Sequence, residues 1–320
     1  MSKSTKIWII SAVSLIVFGL ALFAGVMKAN NWDFDKLNTV KCESQTYQIN
    51  EDFDNIEIKA ENENIVFQPS DDKKCKVIFN EPENIKYTAS VSKKTLVINT
   101  TYDRKWYNYI GIMMYTPEIT VYLPESKYVS LLVSESTGDI KLTDNFAFEK
   151  INISASTGSV LCSASASDAL KIKLSTGDII LSNVSANSLD LSSTTGKIEV
   201  NSATCKNDIR INVSTGETML TDVSCGSLSS EGSTGDIFLT NVIASEKFSI
   251  DRSTGDVKFD RCDASEIFVE TSTGDVNGSL LSNMVFVTET DTGSVNVPKT
   301  QTGGRCKIST DTGDISIKTE

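Results

Sequence analysis

Ser233-Thr234-Gly235-Asp236-Ile237-Phe238-Leu239 and, twenty residues on, Ser253-Thr254-Gly255-Asp256-Val257-Lys258-Phe259 are two copies of one unit. The Thr-Gly step recurs at Gly138, Gly158, Gly177, Gly196, Gly216, Gly235, Gly255, Gly274, Gly293 and Gly313, always 19 or 20 residues apart. Two positions after each glycine stand Ile140, Val160, Ile179, Ile198, Thr218, Ile237, Val257, Val276, Val295 and Ile315, so that only Thr218 departs from a β-branched aliphatic. Apolar residues return two positions later in most copies. This alternation has period two and marks a short strand with one buried face. A second alternating run precedes the next turn, as in Leu170/Ile172/Leu174 and Ile209/Ile211/Val213.

One such unit cannot bury its own apolar face, whereas stacked copies can. The pattern therefore predicts an all-β fold: a single-stranded β-solenoid of about ten coils over residues 131–320, each strand pairing in parallel with its copies about 4.8 Å away. The general preference for right-handed parallel crossovers favours a right-handed coil. Glycine supplies the positive φ of a sharp corner, and Ser, Thr and Asp can close it with hydrogen bonds to nearby backbone. Small residues nine positions after the glycine, Ala186, Cys205, Cys225, Ala244 and Ala264, indicate a tight inward corner.

Working outward, residues 46–130 carry short runs such as Asn55–Lys59, Thr95–Asn99 and Ile119–Leu123, read as irregular β coils that cap the rod, since an open solenoid end is an unpaired sheet edge. Residues 30–45 read as a linker and residues 1–29 as a cytoplasmic stub with a transmembrane signal-anchor. Ile7 to Met27 are 21 consecutive uncharged positions, enough to span a bilayer. Lys3 and Lys6 before them favour an orientation that places the rest of the chain outside the cell membrane. A cleaved signal peptide is the competing reading, against which Leu22-Phe23-Ala24 makes a poor cleavage site.

Composition narrows the chemistry. The chain has no histidine, which removes Ser-His, Cys-His and His-zinc arrangements. Its formal charge is −12, and beyond residue 29 there are 27 basic against 42 acidic residues, a net −15 that repels nucleic acid. The acids follow the repeat: Asp139, Asp178, Asp236, Asp256, Asp275 and Asp314 come directly after the turn glycine, with Glu217 as a substitute. Glu217, Asp236, Asp256 and Asp275 would line one edge on four consecutive coils. That row is read either as turn-capping or as a calcium-binding ladder, calcium being the one ion or cofactor the pattern suggests. Cys205 and Cys225, one coil apart, fall within disulfide reach or form an inward pair of thiols. Trp106, Tyr107, Tyr109, Met113 and Met114 cluster without alternation and read as a cover over the core end, as a partner or ligand surface, or as a membrane contact.

A hydrophobic N-terminal helix, strands ending in Ile119-Thr120-Val121-Tyr122-Leu123-Pro124, and tandem Ser-Thr-Gly-Asp coils together resemble a bacterial family of β-strand-repeat proteins labelled "putative adhesins", a domain family of unknown function. They are also similar to membrane-anchored proteins of the cell-envelope stress (Lia) operons of Gram-positive bacteria. The resemblance covers about residues 50–320 and implies a β-solenoid at the cell surface with a structural, adhesive or envelope-stress role. No catalytic or binding residue comes with it. The expected function is that of a non-enzymatic, membrane-anchored scaffold or interaction module. Its partner would be a cell-surface glycan or protein, or a neighbouring membrane protein. The alternatives are an accessory regulator of an envelope-stress sensor and, more remotely, a carbohydrate-active β-helix enzyme. Coils of nearly constant length leave no long loops to build the cleft such an enzyme needs.

Overall fold

The computed structural model describes residues 2–33, 42–82, 85–102 and 116–320. Residues Lys3–Ala29 form helix α1, with Ser2 Oγ accepting from Thr5 N at 3.1 Å to cap its first turn. Its mean hydropathy reaches 2.6 over the most apolar window, and it is long and apolar enough to cross a membrane. Its large side chains stand exposed, Trp8 at 74% and Leu15 at 71%.

Everything else described is β-structure. In the middle of the chain the coils stack as the period demands. The strand Ile237–Thr254 pairs in parallel with Val257–Thr273, setting Ile237 on Val257, Leu239 on Phe259, Phe248 on Ile267 and Ile250 on Val269. Each of these apolar side chains is buried, and full burial contributes about 1.5–3 kcal/mol apiece. At the corner, Ala186 lies over Cys205, and Cys225 over Ala244 and then Ala264, as the small-residue spacing predicts. The turn glycines stack just as closely. Gly216 has φ 144°, and a Cβ there would sit 2.0 Å from the Gly196 carbonyl oxygen. No side chain fits between the rungs.

The rod departs from sequence order at both ends. Near its start, β1 (Cys42–Ile49), β2 (Asn55–Lys59), β3 (Asn64–Pro69), β4 (Cys75–Pro82), β5 (Ile85–Ser92), β6 (Thr95–Tyr102) and β7 (Glu118–Leu123) precede the first regular coil, β8 (Lys127–Thr137) and β9 (Ile140–Leu142). Strands β2 and β3 form a coil wedged between β6–β7 on one side and β8–β9 on the other, all in parallel. Antiparallel strands then cover the outside: β5 on β6, and β4 on β7 with β1 beyond it. Strand β1 begins within the stretch that the sequence reads as linker.

The far end shows the second departure. The last two repeats do not stack in chain order: Val257–Thr273 pairs with Gly304–Thr312, and Met284–Thr292 pairs on the outer side of Gly304–Thr312. The turns follow, with Gly313 over Gly274 and Gly293 over Gly313. Polarity gives the reason. The inner coil presents Cys306, Ile308, Ile315 and Ile317 inward, all at most 2% exposed, whereas the outer one places Thr288 against Ile308 and Thr290 against Thr310. Leaving the more polar coil outermost exposes less apolar surface.

Candidate functional site

The turn edge is the longest array of charged groups on the rod, and its hydrogen bonds explain its composition. Asp139 Oδ1 accepts from Ser159 N (2.8 Å), Asp178 Oδ1 from Lys197 N (2.7 Å), and Asp236 Oδ1 from Asp256 N (2.9 Å). Asp256 Oδ1 accepts from Asp275 N (3.0 Å), Asp275 Oδ1 from Asp314 N (2.8 Å), and Asp314 Oδ1 from Ser294 N (2.7 Å). Asn64 does the same for Asp139 N at 2.9 Å, one rung before the regular rod. Each aspartate thus staples its turn to the following coil rather than closing its own. The row runs one way along the rod and ends at Ser294, on the outermost coil. The Ser294 amide and hydroxyl hold the Asp314 carboxyl below the usual carboxylate range.

Of the proposed calcium row, Asp236, Asp256 and Asp275 share this edge, each with one oxygen taken by an amide; Glu217 stands at the same turn position, before the Thr218 strand. Among the described residues no group of three or more acidic, thiol or imidazole side chains converges as a metal would need. Cys205 and Cys225 are free, buried thiols, and Cys205 Sγ lies 3.4 Å from the carbonyl oxygens of Asn187 and Asp208. Burial pushes the Cys225 thiol up to about 12, so it is an inert hydrophobe. Trp106, Tyr107, Tyr109, Met113 and Met114 lie outside the described residues.

A concavity follows the inward corner. Its floor steps from Tyr128 and Phe148, stacked at 5.5 Å, down to Ala166 and Ala186, leaving an open trough of about 540 Å³. Lys127 and Lys206 stand at its two ends, with Glu149 and several serines between. Nothing in it resembles a nucleophile with a base.

A 19–20-residue period, glycine-stacked turns and one continuous parallel ladder define the repeat, and a family model for it, Toastrack DUF4097, matches residues 53–317. The chain belongs to the Toastrack DUF4097 family. The solved structures that the chain resembles are distant. A "putative adhesin" from Bacteroides fragilis shares 16% identity over 87% of this chain and 97% of its own, at a TM-score of 0.44. Another "putative adhesin", from Parabacteroides distasonis, shares 12% over 85% and 98%, at 0.45. A "putative lipid binding protein" from the same species shares 12% over 88% and 98%, at 0.43. No curated protein matches the chain.

Two features inside this Toastrack rod escape a reading of the turns alone. Arg252 is 2% exposed within the core, where its Nη2 donates to Ser230 Oγ (2.9 Å) and Thr218 Oγ1 (3.1 Å). A Cβ on Gly232 would lie 2.3 Å from Nη1, so the glycine makes room for the guanidinium. Thr218, the one polar residue in its series, is polar for this reason. The second feature is a pair of acids, Glu63 and Glu135, at 0% and 5% exposure near the start of the rod. Both features were visible as charges at inward positions: Arg252 continues Phe248/Ile250, and Glu135 continues Leu131/Val133. An acid with a raised pKa suits a general acid, but no substrate reaches one this deeply buried.

Proposed function

We propose that this protein is a membrane-anchored, non-enzymatic interaction rod of the bacterial envelope, held by α1 with the Toastrack domain outside the cell membrane. The observation that carries this is α1 itself: 27 residues, strongly apolar, with only Met27 buried, so that its surface calls for a bilayer. The domain behind it is suited to a rigid spacer. It carries no histidine, and its turn aspartates are engaged in stapling coils together. Its acidic surface keeps it off anionic lipid. The partner is an envelope polymer or a neighbouring membrane protein.

The test is fractionation combined with capture. The intact chain should stay with the membrane, and protease added outside whole cells should remove the rod. Cross-linking should then recover either wall polymer or a membrane protein. A rod found soluble and shortened at its N-terminus would overturn the anchor, and turnover of an envelope polysaccharide by the purified chain would overturn the non-enzymatic reading.

A further inference from the structure

We propose that Glu135, buried beside Glu63, is a proton-operated latch, which closes the seam between the rod and its N-terminal cap while Glu135 holds its proton and loosens it when that proton leaves. The geometry separates the two acids. Glu63 accepts four hydrogen bonds: Oε2 from Glu61 N (2.9 Å) and Asn62 N (3.0 Å), Oε1 from the hydroxyls of Tyr102 (2.7 Å) and Tyr87 (3.3 Å). Both of its oxygens are thus filled by donors. Glu135 Oε1 accepts from Ser136 N (3.1 Å) and Thr137 N (3.2 Å), the Glu63 backbone also acts on this carboxyl, and Oε2 is buried with no partner. That orphaned oxygen is where the proton sits.

The pair also joins three layers. Glu63 lies in the wedged coil between β2 and β3, its tyrosines come from β5 and the end of β6, and Glu135 belongs to β8, the first strand of the regular rod. Tyr87 and Tyr102 are the titratable groups on Glu63, with Glu61 beyond Tyr102, and the Tyr102 phenol is pushed up by burial and then by Glu63. Among the described residues no lysine or arginine forms an ion pair with either acid. Losing the proton therefore leaves two like charges in a dry seam.

Burial, and then the charge of Glu63, pushes the Glu135 carboxyl from an ordinary 4.5 up to about 8. Because the folded value is the higher one, the latch is fully closed below about 4.5, weakens as pH rises, and stops changing above about 8.

The test uses the full chain in lipid nanodiscs and hydrogen exchange corrected for intrinsic rates. As pH is raised from about 6 to about 8, the cap peptides over β2, β3, β5 and β6 should open up to tenfold more for each pH unit, with peptides from the middle of the rod unchanged. Glu135→Gln, which is neutral at every pH, should make the cap insensitive over this range. Glu63→Gln should move the transition to lower pH. A protonated carboxyl band in the infrared spectrum of the wild-type chain at neutral pH, lost on alkalinisation, supports the proposal even if a variant fails to fold. A cap with flat protection, a Glu135→Gln chain that keeps the wild-type transition, or opening that spreads equally through the whole rod would overturn it.

Discussion

The two ends of the rod meet the same hazard, an exposed sheet edge over an apolar core, in different ways. At the N-terminal end the chain spends seven strands, adding antiparallel cover outside its parallel coils. Aromatic rings seal it: Tyr47 meets Phe79 edge-on at 5.2 Å, and Phe79 stacks on Tyr87 at 4.6 Å. The far end has no such cover among the described residues. It exchanges its last two coils so that the more polar one faces solvent, and still leaves Val287 at 46% and Val295 at 45% exposure. A cap built from extra strands is cooperative and dry. A cap made by ordering the coils is thinner and more easily released.

That contrast is most readily broken with large side chains. Phe79→Ala empties a fully buried site and should cost about 4 kcal/mol. Phe286→Ala, on the half-buried outer coil, should cost about 1 kcal/mol. Chemical denaturation of the two variants measures both, and similar losses would mean that the far end is sealed as firmly as the near one.

The turns offer the next comparison. Gly216→Ala forces a Cβ to 2.0 Å from the Gly196 carbonyl at a φ that alanine avoids, and should cost about 3 kcal/mol. At Gly293 the same substitution meets the Gly313 carbonyl at 2.0 Å, but the outer coil can detach without opening the rod. Gly293→Ala should therefore fray one coil in hydrogen exchange and leave the main melting transition close to wild type. Loss of the whole fold would show that this coil is integral.

The rod was plain in the sequence because its cause is local: a glycine corner followed by alternating aliphatics, repeated at one interval. The exchange of coils was hidden because the final repeats, of 19 and 20 residues, differ no more than the others do, so spacing is silent on their order. Only Thr288, at an inward position where most coils are apolar, hints at it. The acidic row was legible as a row, but its bonding was not. An Asp after a glycine can close its own turn or reach the next, and packing distance decides which. Glu135 and Arg252 were legible as charges in an apolar alternation, yet their partners lie far away in the chain, Thr218 being 34 residues from Arg252.

The staples rank below the turns in energy. Asp256→Ala removes a carboxylate acceptor from Asp275 N and should cost about 1.5 kcal/mol, most of which Asp256→Asn should restore by keeping an acceptor oxygen. Ser294→Asp adds a carboxylate at the end of the row, where no further coil supplies an amide, and should change stability by less than about 0.5 kcal/mol. Thermal melts of the three variants distinguish these outcomes, and a clear gain from Ser294→Asp would mean that another coil, from a second molecule, lies beyond it.

The smallest effect is also the sharpest probe of coil order. In the exchanged arrangement the Ser294 amide is held by Asp314, and Asp275 serves the amide of Asp314. Stacking in chain order would instead make Asp275 the partner of Ser294. Residue-resolved hydrogen exchange on Asp314→Ala should therefore deprotect Ser294 while leaving the Asp314-position amide protected, and Asp275→Ala should do the reverse. Each loss is one charge-assisted hydrogen bond, about tenfold in exchange rate at the amide that loses its acceptor. If Asp275→Ala exposes Ser294, the coils run in sequence order, and the thin cap described at this end is replaced by an ordinary last rung whose apolar face must be covered some other way.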